Sequence, residues 1–317
     1  MKWMDRKGNV FVMVVLGMTF LMGSAAMVTD VGLAYAEKRH LSNSLDAAAL
    51  AGAMELPDGG NATNVAAQYL SLNDVDPLDV QIIIDGNSIE LIGQEEVGLY
   101  FARIFGREVA LVGAKAKVVV GQLGMFTGIR PFGISYNAEN EGEDNYGYEQ
   151  GETVVLRLGV GDGTSGYYQY LGLGNGVSEI PEFALNGYDE PISIGDLIET
   201  QNGVAASIPN KLEKDVNDWP DNFDTTDWTD YVYDGLDPRV WIMPVVDFSN
   251  IVTDPENSNK KSVYVIGFAL AYIDNFDKGT EEITCRFIKG YILDGTVDQS
   301  LALNTSGPYA MNLVANE

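Results

Sequence analysis

A run of aspartates between residues 211 and 239 is the part of the chain best suited to metal chemistry. Six of them recur at every third position: Asp215, Asp218, Asp221, Asp224, Asp227 and Asp230. Calcium prefers several oxygen ligands from flexible, carboxylate-rich segments, so Asp221, Asp224, Asp227 and Asp230 are candidate Ca²⁺ ligands. The spacing differs from that of an EF-hand loop. A solvated acidic loop with its aromatic side chains packed inward explains the same pattern, and both interpretations stay open.

The chain has one histidine and one cysteine, which limits the catalytic and metal sites that it can form. His40 is the one histidine, which excludes a multi-histidine metal site and leaves few ways to build a Ser-His-Asp triad. Cys285 is the one cysteine, which excludes an intramolecular disulfide and a cysteine zinc site. The glycine-rich stretches at 159–163 and 172–176 precede neither a helix-forming run nor a P-loop lysine. We therefore expect no catalytic residues, no enzyme activity, no small-molecule substrate, and no cofactor besides the candidate Ca²⁺.

The charge of the chain is strongly acidic and unevenly distributed. Its 317 residues carry 46 acidic and 19 basic side chains, a formal net charge of −27 at pH 7. Residues 1–122 hold 14 of the acidic and 9 of the basic side chains, which leaves 32 and 10 for residues 123–317, so the two parts carry −5 and −22. A field of that sign repels phosphate backbones, which excludes nucleic acid as a partner.

An uncharged apolar segment lies near the N-terminus and is long enough to span a membrane. Residues 9–29 contain no charged side chain, and about 20 mostly apolar residues suffice for a helix to cross a bilayer. Lys2, Arg6 and Lys7 precede the segment, so the positive-inside rule places the N-terminus in the cytoplasm and the remaining chain outside. The side chains expected to contact lipid or neighbouring helices are Val10, Phe11, Val14, Leu16, Phe20, Leu21 and Val28.

Three fates of this segment are open. A secretory signal could be cleaved after Ala26, because Ser24-Ala25-Ala26 resembles a signal-peptidase site. Prepilin-like cleavage after Gly8 would leave the apolar segment at the head of the mature chain. A permanent anchor is favoured, because helical character continues to Thr29 and then passes into an amphipathic stretch that ends near Pro57. One helix of about 45 residues, roughly 70 Å long, is the expected product.

The sequence of this helix resembles a known family. The relevant residues are Gly8-Asn9 after Lys7, then Asp30-x-Gly32-x-x-Tyr35, Arg39-x-Leu41, and Asp46-Ala47-Ala48-Ala49-Leu50-Ala51-Gly52-Ala53. They are similar to the N-terminal region of the TadE/TadG-like proteins of the tight-adherence (Flp) pilus system. The segment Tyr100 to Gly106, followed by Val112-x-Ala114-x-Ala116, is similar to the end of the family's module. The resemblance thus covers residues 7–120.

The resemblance implies a membrane-anchored, outward-facing component of pilus assembly, or a minor pilin-like subunit, without catalytic activity. Its partners would be the membrane and other pilus or secretion components, or copies of itself. An alternative function is a filament or surface subunit that polymerises through its N-terminal helix. The expected location is the cell membrane, with a single span and an extracellular C-terminal part, or a surface filament.

The remaining sequence predicts an α+β protein in three parts. Residues 1–56 form the long helix and residues 57–122 a small α/β module, with a helix at 61–73 and a hairpin around Asp85-Gly86. Residues 123–317 form an acidic, β-rich domain, a sandwich or barrel-like fold. Its strands are expected at 152–160, 166–173, 177–184, 191–198, 239–247, 262–273 and 281–293.

Overall fold

A computed structural model describes residues 6–57, 60–136, 144–158, 166–174, 177–201, 208, 210–218, 231–293, 295–298 and 307–314. The helices are α1 Arg6–Met54, α2 Ala62–Leu72, α3 Asp144–Gly147, α4 Ile180–Asn186 and α5 Asn210–Asn217, with 3-10 turns at Pro77–Asp79 and Ala102–Phe105. The first eight strands are β1 Val80–Asp85, β2 Ser88–Gly98, β3 Val109–Phe126, β4 Phe132–Ser135, β5 Thr153–Leu158, β6 Tyr167–Leu171, β7 Ile192–Ser193 and β8 Leu197–Gln201. The others are β9 Tyr231–Tyr233, β10 Val240–Val246, β11 Val252–Thr253, β12 Lys261–Asp277, β13 Glu282–Ile288, β14 Gly290–Ile292, β15 Thr296–Asp298 and β16 Tyr309–Leu313.

The predicted α+β class is confirmed, and the chain groups into two compact units. The first contains residues up to Glu55, Asn61–Val118 and the chain from Leu313. The second contains Leu56–Gly60 and Val119–Asn312. The three-domain division at residues 56 and 122 stays a prediction.

The first unit consists of α1, α2 and a small sheet. α1 is one continuous helix of 49 residues, as the sequence predicts. The predicted hairpin is confirmed as β1 and β2, whose last register pair is Asp85 with Ser88. Gly86 therefore takes the first of two central turn positions, and its φ of +54° is one that glycine adopts without strain. In α2, Ala66 and Leu70 are buried, whereas Tyr69 is 42% exposed.

The second unit contains a closed ring of six strands. β10, β4, β6, β5, β13 and β12 pair in that order, and β12 pairs back to β10. Alternate residues of these strands form one buried cluster: Phe132, Ile134, Leu156, Tyr168, Tyr170, Trp241, Met243, Val245, Ala269, Ala271, Ile273, Ile283, Cys285 and Phe287. Within this cluster, the rings of Phe132 and Trp241 stack with their centroids 5.1 Å apart. The period of two is that of strands with one face turned to a core.

One predicted strand is wrong and five strands were not predicted. Residues 177–184 were expected to be extended, but Ile180–Asn186 form α4. Pro181 lies in the first turn, where its missing N–H costs nothing, and Ile180 and Ala184, one turn apart, are both buried. The unpredicted strands β4, β9, β11, β15 and β16 have only two to five residues each, too few to establish a periodic pattern.

Candidate functional site

The first half of α1 exposes its apolar side chains. Residues from Val10 onward form a helix long and apolar enough to cross a membrane, with a mean hydropathy of 2.2 in its most apolar window and none of that window buried. The seven side chains expected to contact lipid or helices are between 48% and 75% exposed. Burying one such side chain is worth about 1.5–3 kcal/mol, so this surface requires an apolar environment, which the described part of the chain does not provide.

The second half of α1 is buried within the first unit. Leu41, Leu45, Ala48 and Ala53 are buried where α1 packs against α2 and β2. A Cβ atom added to Gly52 would lie 2.7 Å from Cδ1 of Ile89 and 3.0 Å from the carbonyl oxygen of Ala62. The glycine therefore lets α1 and α2 approach closely, which explains the small residues of this stretch by packing inside the protein.

The motif residues that resemble the family fall into three structural groups. Buried ones serve the fold of the first unit: Asp30, Leu41, Ala48, Ala51 and Gly52. Half-buried ones are Asp46, Ala47 and Leu50, and burial raises the pKa of Asp46. Exposed ones are Gly32, Tyr35 and Arg39, and the Arg39 guanidinium lies 5.8 Å from the centre of the Tyr35 ring. The α1 backbone includes Gly8 and Asn9, whose burial lies outside the described part.

Asp30 is a buried acid at the end of the apolar segment, and it binds a loop 70 residues away in sequence. Its Oδ1 accepts the backbone N–H of Tyr100 at 2.9 Å, and its Oδ2 accepts those of Phe101 at 3.0 Å and Ala102 at 2.7 Å. Burial alone would raise the pKa of Asp30, but these three donors and the charge of Arg103 outweigh burial and lower it. The carboxylate caps the 3-10 turn Ala102–Phe105 while ionised.

An apolar groove of about 800 Å³ lies between α1 and this loop. The helix contributes residues from Phe20 to Ala34, and the loop contributes residues from Leu99 to Ala110. Sequence reasoning noted the loop only for its resemblance to the family. The run of Tyr100, Phe101, Ile104 and Phe105 was the signal that could have identified an apolar surface there.

The acidic candidate site falls in a part of the chain that the structure does not describe. Asp221, Asp224, Asp227 and Asp230 lie outside the described residues, so the calcium interpretation stays a prediction. Across the described ranges, no three His, Cys, Asp or Glu side chains are grouped so that they could hold a metal ion. Cys285 is buried in the six-stranded ring, and burial raises the pKa of its thiol.

Comparison with known proteins tests the resemblance. Residues 8–55 match the family model described as "Putative Flp pilus-assembly TadE/G-like". The predicted resemblance is thereby confirmed for this segment, while its extension to residue 120 stays a prediction. No curated protein and no solved structure matches the chain. The Tad-like segment and the exposed apolar helix together fit a membrane-anchored, pilus-associated component.

Proposed function

We propose that this chain is a single-pass, outward-facing component of a Tad-type pilus system that binds other proteins and catalyses no reaction. The observation that supports the proposal most is the exposure of the whole apolar window of a helix that matches the Tad model. A core helix would bury that surface. The buried half of the same helix supplies a rigid module directly beyond the span.

The direction of the helix in the membrane follows from charge. Three basic residues, Lys2, Arg6 and Lys7, precede the apolar segment, which favours a cytoplasmic N-terminus. The part beyond residue 122 carries a net charge of −22 and would be well solvated outside the cell. Its partners are other pilus or secretion components, or further copies of the chain.

Cysteine labelling on intact cells tests the orientation. Ser258 is exposed on the segment between β11 and β12, so Ser258→Cys should react with a membrane-impermeant maleimide. Asp5→Cys, ahead of the span, should react only after the cells are lysed. The unmodified chain is the control, because its buried Cys285 should stay unlabelled until the protein is denatured. Labelling of Asp5→Cys on intact cells would contradict the orientation.

The alternative function, a self-polymerising filament subunit, rests on the same exposed apolar surface, which copies could cover for one another. Oxidative cross-linking of a variant with two cysteines on opposite sides of the helix, Leu16→Cys/Met18→Cys, distinguishes the two, because each chain can then form disulfides with two neighbours. A ladder of multimers in sheared surface filaments supports the filament subunit. Monomers or single cross-links in the membrane fraction support the assembly component. N-terminal sequencing adds a second readout, since a start at Asn9 favours the filament and a start at Met27 contradicts both.

A further inference from the structure

We propose that the loop Tyr100–Arg107 inserts into the outer leaflet beside the span, so that lipid acyl chains fill the groove between the loop and α1. The proposal rests on the membrane anchoring proposed above and adds a second point of membrane contact. The protein would thus be held at a defined height and rotation relative to the bilayer, and not only tethered to it.

The position of the loop is set by Asp30. Residues 9–29 are uncharged, and Asp30 is the first charged residue after them, so it lies where the helix leaves the hydrocarbon. Three hydrogen bonds of 2.7–3.0 Å tie Tyr100, Phe101 and Ala102 to its carboxylate. The loop is therefore fixed at the boundary between membrane and water.

The loop also lies alongside the part of α1 that is inside the membrane. The groove is lined by Phe20 and Gly23 on the helix and by Ile104 and Phe105 on the loop. Phe20 precedes Asp30 by ten residues, or roughly 15 Å along a helix axis, which is about half the thickness of a bilayer core. The loop side chains that face this stretch are at the depth of the outer acyl chains.

The exposed side chains of the loop suit an interface. Tyr100 is 70% exposed, Ile104 81% and Phe105 87%, which would be unfavourable in water for so many adjacent apolar groups. Aromatic residues are enriched at membrane interfaces, and arginines can extend toward headgroup phosphates. Arg103 and Arg107 flank the apolar side chains and provide such contacts.

Most backbone N–H groups of the loop have hydrogen-bond acceptors within the protein, as a segment in contact with lipid requires. Asp30 accepts the N–H groups of Tyr100, Phe101 and Ala102. Carbonyl oxygens within the loop or at its base accept four more, those of Leu99, Ile104, Gly106 and Arg107, at 2.8–3.1 Å. At least seven of the nine N–H groups from Leu99 to Arg107 thus have acceptors, and Asp30 provides for three of them.

Lipid, and not a partner protein, is favoured because the groove is continuous with the exposed surface of the span. Phe20, Met27 and Val31 line the groove and are among the exposed apolar residues of α1. Whatever surrounds residues 10–29 therefore also reaches the groove. In a single-pass protein that surrounding medium is the acyl region of the bilayer.

Depth-dependent quenching on the full chain tests the proposal. Three variants, Phe105→Cys, Leu78→Cys and Leu16→Cys, are labelled with an environment-sensitive fluorophore and reconstituted into vesicles of phosphatidylethanolamine and phosphatidylglycerol. Leu78 is the matched control, since it is an apolar residue of the same unit that is 92% exposed but lies outside the loop. Leu16 reports whether the span itself is inserted.

We expect a lipid nitroxide near the top of the acyl chain to quench the label at 105 several-fold more than the label at 78, and aqueous iodide to show the reverse order. Iodide quenching at 105 equal to that at 78 would overturn the proposal. Protection at 105 from both quenchers would overturn it too, because another protein segment would then fill the groove. A label at 16 that lipid quenchers do not reach would refute the proposed anchoring, which separates the two failures.

Discussion

The two halves of α1 belong to one continuous helix, but their apolar side chains are exposed in the first half and buried in the second. Residues 10–29 carry large side chains such as Phe11 and Leu21, and these are exposed. From Leu41 onward the helix is buried against α2 and β2, and its side chains are mostly small. Large, exposed side chains suit an adaptable environment such as lipid, whereas small ones permit a fixed neighbour at close range. The comparison indicates that the protein covers the second half of this helix and that the membrane or other subunits cover the first half.

A charge in the exposed half should have the largest effect. Leu16→Arg places a cation near the middle of the span, at a cost of about 3 kcal/mol on insertion scales, or roughly a hundredfold in the insertion equilibrium. We expect most of the protein to leave the membrane fraction on washing with alkaline carbonate. Asn43→Arg is the control, because Asn43 is a solvent-exposed residue in the second, otherwise mostly buried half of α1. Equal retention of both variants would mean that residues 10–29 do not lie in lipid.

The sequence predicted much of this division, because charge and periodicity are local properties. The uncharged segment 9–29 and the small residues around Gly52 can both be identified from the sequence alone. The partner of Asp30 was not predictable, because its hydrogen bonds join residues 70 or more positions apart. Nor was the closure of the six-stranded ring, in which the parallel pairings of β10 with β4 and of β5 with β6 join strands that local patterns cannot match.

Glycine substitutions compare the halves directly. A Cβ at Gly52 would lie 2.7 Å from Ile89 and 3.0 Å from a backbone oxygen, so Gly52→Ala should destabilise the first unit by about 1–3 kcal/mol through overpacking. A Cβ at Gly32 meets no atom within 4 Å, so Gly32→Ala should instead be neutral or stabilise the helix by about 0.5–1 kcal/mol. Thermal unfolding of the full chain in detergent measures both. If the two variants shift the midpoint in the same direction, the packing argument fails.

Asp30 connects the exposed half to the loop, and neutralising it should loosen that connection. Asp30→Asn removes the charge and leaves one acceptor oxygen for three N–H donors. We expect tryptic cleavage after Arg103 to accelerate roughly tenfold in detergent, because local opening becomes easier. Asp79→Asn, an exposed carboxylate of the same unit, controls for charge. An unchanged cleavage rate in Asp30→Asn would show that the hydrogen bonds do not hold the loop.

The same group predicts a smaller, pH-dependent effect. Because folding lowers the pKa of Asp30 below its ordinary value of 3.8, its stabilising contribution is complete above that value and is lost as the pH falls through the lower, folded-state pKa. In acid, a fluorophore at position 105 should therefore report loosening of the loop. Other carboxyl groups of this acidic chain are also protonated in acid, so the readout is the difference between the labelled Phe105→Cys chain and the same labelled chain with Asp30→Asn. Identical acid titrations of the two would contradict the assignment to Asp30.

The smallest effect on stability is expected between the two halves, at Tyr35. This motif residue is 62% exposed, and its ring contacts Arg39 one turn further on, a contact worth about 0.5–1 kcal/mol at an exposed site. Tyr35→Ala should thus barely change thermal unfolding. Since Tyr35 has little structural role, a loss of surface pili in cells carrying this variant would locate a partner contact at the membrane exit of α1. Tyr69→Ala is the control, because Tyr69 is an exposed tyrosine outside the motif, and this variant should keep its pili. Equal piliation in both variants would show that Tyr35 does not contact a partner.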